Sequence, residues 1–177
     1  MSFKNPNRMV LAGNSFEITV GRIIKPKCKS IQLYNYEFTS PLTDRALESD
    51  LLLITKSKIY CIECKHFTTA IYGNTYDQKW KFISKGNKGL VTNPLINNYK
   101  HVRVIKGLLY SKYNELYDIE NIVCVPDGCV IHTDNKEVMN LSTLVNKIVN
   151  DNKYKEKKYD LEEIKERIDS VKSSIRR

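Results

Sequence analysis

Three side chains in one short segment have the types and spacing to act on a phosphodiester. They are Asp50, Glu63 and Lys65, within Ser49-Asp50-Leu-Leu-Leu-Ile-Thr55-Lys-Ser-Lys-Ile-Tyr-Cys-Ile-Glu63-Cys-Lys65. The apolar runs Leu51 to Thr55 and Ile59 to Cys64 read as two strands around Lys56-Ser57. If that loop has two residues, Thr55 faces Lys58 and Asp50 lies across from Glu63, with Cβ atoms about 5 Å apart. Lys65 then shares their face, Ile62 and Cys64 point the other way, and Glu48 stands opposite Lys65. A longer loop or a bulge would shift this pairing. Two opposed carboxylates repel, and a hard divalent cation such as Mg²⁺ or Mn²⁺ removes the objection. Such an ion polarises a phosphodiester oxygen and acidifies water, while the lysine orients or deprotonates that water and offsets developing charge. The competing reading is a plain surface ion pair between Glu48 and Lys65, because D-x(n)-E-x-K is a short pattern.

The elements that must hold these residues follow from periodicity and punctuation. Asn14 to Ile24 reads as a helix with Phe16, Val20, Ile23 and Ile24 inward, stopped by Lys25-Pro26. Ile31 to Phe38 is β-prone, and Ala70 to Tyr72 and Trp80 to Ile83 read as strands around a turn at Gly73-Asn74. Asn93-Pro94 opens a helix reaching Tyr110, with Leu95, Tyr99, Val102, Ile105, Leu108 and Leu109 on its apolar side. Ile122 to Val125 and Cys129 to His132 read as two strands around Pro-Asp-Gly, and Leu141 to Val149 as a helix. After the charged stretch Lys153 to Lys158, Asp160 caps a last helix with Leu161, Ile164, Ile168, Val171 and Ile175 in one stripe. That stripe implies docking onto the domain or onto another chain. Helices alternating with hairpins predict an α/β or α+β sheet protein.

Composition narrows the function classes. The 177 residues are one domain's worth, and 41% apolar with 28% charged residues is ordinary for a globular protein. No apolar run approaches the roughly 20 residues that span a bilayer, and MSFKNPNRMV has no signal-peptide core. Five cysteines without secretory context read as reduced thiols of a cytoplasmic protein. The net charge of +9 is concentrated: from Lys56 to Lys112 there are eleven Lys and Arg against two acids, Glu63 and Asp77. A basic segment suits a polyanion, with a merely solubilising surface as the alternative.

Other signals are weaker. Cys61-Ile-Glu-Cys64, with Cys124 and Cys129, has the count for zinc. Residues 61 and 64 of a strand face opposite sides, however, which favours buried thiols over a tetrahedral site. His66 reads as an inert strand-end histidine before a proton shuttle, and Trp80 as a core anchor before a base-stacking platform. His101 lies one helical turn after Asn97, toward substrate or simply on a polar face. Lys100, Arg103 and Lys106 are either a solvated face or contacts to phosphates. No GxxxxGK[ST] or GxGxxG is present, which excludes a nucleotide-hydrolysing motor of those types.

Taken together, these residues resemble the nuclease-related domain family (NERD) of the PD-(D/E)xK nuclease superfamily. Ser49 to Thr55 and Ile59 to Lys65 carry the D…ExK core; Gly73 to Trp80 (GNTYDQKW) is similar to the family's glycine-to-tryptophan stretch. Asn93-Pro94-Leu95, Asn97-Asn98 and His101 resemble its NPxxQ-type helix start, with Asn97 where the family has Gln. Gly13-Asn-Ser-Phe-Glu17 is similar to G-x-x-G-E, with Phe16 at the second glycine. The likeness runs from Gly13 to Asn150. It implies a restriction-endonuclease-like α/β domain with a central mixed β-sheet flanked by helices over residues 1–150. Residues 151–177 would be a charged segment and an amphipathic helix packed on that domain, on a partner protein or in a homodimer. It further implies Asp50 and Glu63 as Mg²⁺ or Mn²⁺ ligands, Lys65 as the catalytic lysine, and Glu17, Asn97 and His101 as accessory groups. Lys100, Arg103 and Lys106 would hold the backbone of a nucleic acid, DNA foremost, in a cytoplasmic metal-dependent nuclease. The alternatives on the same fold are an inactive nucleic-acid-binding module and a protein-interaction domain.

Overall fold

The structure is a computed structural model and describes residues 16–154, 156 and 158–172. Two β-sheets organise the chain. The larger has five strands and the smaller four. Strands β1 (Ser30–Thr39), β2 (Ala46–Thr55) and β3 (Ile59–Cys64) form an antiparallel meander. Strands β7 (Ile119–Val125) and β9 (Val138–Asn140) then add parallel to β3. The smaller sheet comprises β4 (Ala70–Tyr72), β5 (Lys79–Ser84), β6 (Asn87–Thr92) and β8 (Val130–His132). Its strands β4 to β6 are inserted between the end of β3 and helix α2 (Pro94–Tyr113), α2 completes the crossover from β3 to β7, and β8 follows β7; the strand orders are β1-β2-β3-β7-β9 and β6-β5-β4-β8.

Strand alternation gives the larger sheet two apolar faces. Leu51, Leu53, Tyr60, Ile62 and Cys64 meet helix α1 (residues 16–24) and α3 (Leu141–Tyr154) through Phe16, Val20, Ile24, Leu144 and Ile148. Leu52, Ile54, Ile59 and Cys61 meet α2 and α4 (Leu161–Asp169) through Val102, Ile105, Leu109, Ile164 and Ile168. The apolar stripe of α4 therefore docks on this domain, with Asp160 as its N-cap accepting from the amides of Glu162 and Glu163. Ile175 of that stripe lies outside the described residues, as do Gly13 and Asn14.

Several expectations need correction. Ile23 of α1 is 36% exposed, so only Phe16, Val20 and Ile24 face the core. Tyr99 points outward, and Asn98 and His101 occupy the buried side of α2 instead. The two strands expected around Pro-Asp-Gly are present, and they belong to different sheets: β7 to the larger, while β8 pairs parallel with β4. Strand β6 follows a two-residue turn, Lys85-Gly86, in which both residues have positive φ (49° and 77°). That is the geometry a tight hairpin needs.

Candidate active site

The loop between β2 and β3 sets the position of the acidic residues. Thr55 donates its amide to the Lys58 carbonyl (3.0 Å) and its hydroxyl to the same oxygen (2.8 Å). The pairs Leu51↔Ile62 through Ile54↔Ile59 then follow in the expected register. The ladder stops one pair before Asp50 and Glu63. On the other side, the β1–β2 ladder runs from Tyr34↔Leu51 to Tyr36↔Ser49 and skips Asn35, whose φ is +47°. Asp50 thus sits at a gap in both ladders. Its Oδ2 accepts the Cys64 amide at 2.8 Å, filling the position a strand carbonyl would hold. The next amide, of Lys65, turns to β7 and donates to the Cys124 carbonyl at 2.9 Å.

The lysine has a different partner from the one strand register suggested. Glu48 is exposed, and its cross-strand neighbour in β1 is Glu37. Lys65 Nζ instead lies 2.5 Å from Oε1 of Glu63, which is 4% exposed. Burial pulls the Lys65 pKa down, but the charge and hydrogen bond of Glu63 outweigh it and leave the pKa raised. Lys65 is therefore a fully charged ammonium at neutral pH.

Negative charge is crowded around this pair. Burial, then the charge of Glu63, pushes Asp50 up to about 6 against the relief given by Lys65, the Cys64 amide and His101. Glu17, on α1, is 6% exposed and rises to about 7 through burial and then the charges of Asp50 and Glu48. The structure thus brings Glu17 into the cluster although Phe16 replaces a glycine beside it. Phe16 stacks on His66 (centroids 5.3 Å), which places His66 on the α1 side of the sheet. His101 is 6% exposed, and burial lowers its pKa while Asp50 partly opposes this. Its Nδ1 is buried without a hydrogen-bond partner among the described residues.

Helix α2 is tied to the strands behind the acidic residues by Asn98, a fully buried residue to which the sequence alone assigns no role. Its Nδ2 donates to the Cys61 carbonyl (2.8 Å), Asn121 Oδ1 (2.7 Å) and the Ile122 carbonyl (3.1 Å). Its Oδ1 accepts the Cys61 thiol at 3.2 Å. The signal was available: Asn98 lies three residues after Leu95 and four before Val102, squarely on the apolar side. Asn97 is half-buried one position away. Lys100 and Arg103 are exposed, whereas Lys106 is half-buried in a groove with Asp118, Glu120 and Glu137, near the start of β7.

The Gly73, Trp80 and Asn93 positions are architectural. A Cβ on Gly73 would fall 2.2 Å from the fully buried Trp80 ring. Trp80 donates its indole N–H to the Asn74 carbonyl (2.9 Å). Asn93 caps α2 by accepting from Leu95 and Ile96, and its Nδ2 donates to the Thr75 and Asp77 carbonyls. These contacts lock the loop before β5 to the start of α2. All five cysteines are free and buried, with Cys61 and Cys64 on opposite faces as alternation requires.

Among the described residues, no three His, Cys, Asp or Glu side chains already converge as a metal cage. The donor set still fits a hard divalent cation. Mg²⁺ is commonly held by one or two carboxylates with water and substrate phosphate completing its shell. Asp50 and Glu63 offer that pair, and the Asp50 and Glu17 pKa values are raised by burial first and by neighbouring carboxylates second. No curated protein and no solved structure matches the chain. The family model described as "Nuclease-related domain" (NERD) matches residues 12–126, from before the described start of α1 to just past β7 and short of the expected Asn150. That span holds Glu17, Asp50, Glu63, Lys65, Asn97 and His101 on a restriction-endonuclease-like α/β fold. The chain therefore belongs to the nuclease-related domain family of the PD-(D/E)xK superfamily.

Proposed function

We propose that the protein hydrolyses nucleic-acid phosphodiester bonds, DNA foremost, with Mg²⁺ or Mn²⁺ held by Asp50 and Glu63. The observation that carries this reading is the buried Glu63–Lys65 pair beside Asp50 and Glu17, a concentration of like charge that stability alone does not favour. The ion supplies the positive charge that polarises a phosphoryl oxygen and acidifies water. Lys65, held beside Glu63, orients or deprotonates the attacking water and stabilises charge developing on the phosphoryl oxygens. Glu17 is the accessory carboxylate of the cluster, its pKa raised by burial first and then by the charge of Asp50. His101, neutral and with an unpaired Nδ1, is available to a water or a phosphate oxygen. Asn97 lines the same end of α2, and Lys100 and Arg103 offer charge to the backbone. Lys106 is a less direct contact, given its acidic groove.

The test is cleavage of single- and double-stranded DNA and RNA with Mg²⁺, Mn²⁺ or chelator, for wild type and Glu63→Gln. Metal-dependent cleavage abolished by Glu63→Gln is expected. Binding without cleavage under every condition would return the protein to the binding-module reading.

A further inference from the structure

The smaller sheet has one face in the core and one in solvent, and the solvent face has a specific chemistry. Its core face carries Ile71, Trp80, Val91 and Ile131. Across the other face, register aligns Leu90, Lys81, Tyr72 and His132 as direct neighbours on β6, β5, β4 and β8. Tyr72 and His132 stack in parallel, with centroids 4.4 Å apart and planes 4° apart, and Tyr72 remains 37% exposed. Lys79 and Lys88 lie on the same face by alternation, with Lys85 at the turn joining their strands, and all are exposed. The four strands carry Lys79, Lys81 and Lys88 and not one Asp or Glu. None of these lysines has an ion-pair partner among the described residues.

The location matters as much as the chemistry. The chain enters this sheet directly after Lys65, and leaves it directly into the Asn93 cap of the helix that bears Asn97 and His101. It returns once more from the end of β7, where Cys124 accepts the Lys65 amide. All three connections leave from the end of the larger sheet where Glu63 and Lys65 lie.

We propose that this solvent face is a platform for an unpaired nucleic-acid strand, with bases stacking on the Tyr72–His132 pair and phosphates held by Lys79, Lys81 and Lys88. A flat sheet with an exposed aromatic pair and one-signed charge matches how single strands are bound without sequence readout: π-faces take bases of any kind, and lysines follow the backbone. A paired duplex presents phosphates but buries its base faces, so it gains from the lysines alone. The sugar is not read, and DNA and RNA strands are equivalent ligands. This rests on the nuclease reading and deepens it by assigning strandedness.

The experiment is fluorescence polarisation of the full chain with labelled 20-nucleotide single strands, deoxy and ribo, and with a blunt duplex. EDTA is present throughout, so cleavage plays no part, and salt is varied. Tyr72→Ala is expected to weaken single-strand binding roughly tenfold and leave duplex binding within about twofold. Lys79→Ala/Lys81→Ala/Lys88→Ala is expected to lower the slope of log K against log salt by about 2 for single strands, near 0.7 per phosphate contact. Circular dichroism and melting confirm folding, because all four residues are exposed. Unchanged single-strand affinity in both variants, with the wild type binding, overturns the platform and leaves the nuclease reading standing. Equal loss of duplex and single strand in Tyr72→Ala overturns the stacking assignment. A wild type that binds no single strand in EDTA overturns the platform and leaves the nuclease reading to the metal-dependent cleavage assay.

Discussion

Replacing Asp50 by Asn should stabilise the metal-free protein. Burial and the neighbouring Glu63 raise the Asp50 pKa from 3.8 to about 6. At pH 8 the folded state therefore penalises the ionised carboxyl by about 3 kcal/mol, at 1.36 kcal/mol per pKa unit. Asn keeps an oxygen for the Cys64 amide but loses the charge that strengthens that bond, at a cost of about 1 kcal/mol. The net gain of about 2 kcal/mol corresponds to a Tm rise of roughly 4–8 °C for a domain of this size. Magnesium reverses the ranking. At a hundred times its dissociation constant an ion bound only to the folded state contributes about 2.7 kcal/mol, more than that gain, and only the wild type has the full ligand pair. Differential scanning fluorimetry at pH 8, in EDTA and then in Mg²⁺, reads both effects. An Asp50→Asn protein that melts at or below wild type in EDTA, or an equal Mg²⁺ shift in both proteins, refutes the reasoning.

Three more outcomes follow from the same geometry. The Tm advantage of Asp50→Asn in EDTA should vanish as pH falls from 8 to 4. A carboxyl whose folded pKa is raised is stabilised by protonation below its unfolded value, and that stability is lost as pH rises through about 6. A gap constant across that range contradicts the charge cluster. Asn98→Ala removes a fully buried amide bonded to both β3 and β7 and should cost about 3 kcal/mol, roughly 6–12 °C in Tm; a loss under 2 °C would show the network is dispensable. Lys100→Ala/Arg103→Ala should lower the salt slope of duplex binding by about 1.8 without changing sequence preference, and an unchanged slope removes both from the interface.

The sequence was informative where local chemistry decides structure. Lys56-Ser57 between two apolar runs was enough for the β2–β3 register, and Asn93-Pro94 and Asp160 marked real helix starts. The gap at Asp50 was not legible, because it depends on Asn35 taking a left-handed conformation on a different strand. The choice of Glu63 over Glu48 by Lys65 was hidden for another reason: strand register fixes which backbones are opposed and not how a four-carbon side chain turns. Strand β6 escaped because Lys85-Gly86 lacks the Asn-Gly or Asp-Gly signature of a tight hairpin. The strands on either side of Pro126-Asp127-Gly128 were legible, and only tertiary pairing sends β8 to another sheet. The roles of Asn98 and His101 required the helix to be packed: polar residues on an apolar stripe become informative once their partners, or the lack of one, can be named.

The central claim is that Lys65 works in the transition state and does not merely neutralise Glu63. Single-turnover cleavage by Lys65→Ala measures this directly, with Glu48→Ala as the comparison and with metal and nucleic-acid binding measured alongside. Removing a group that stabilises transition-state charge typically slows a reaction a hundredfold or more. Lys65→Ala should fold, bind Mg²⁺ and nucleic acid, and cleave at least a hundredfold more slowly, while Glu48→Ala should cleave at close to the wild-type rate. Wild-type cleavage by Lys65→Ala would contradict it.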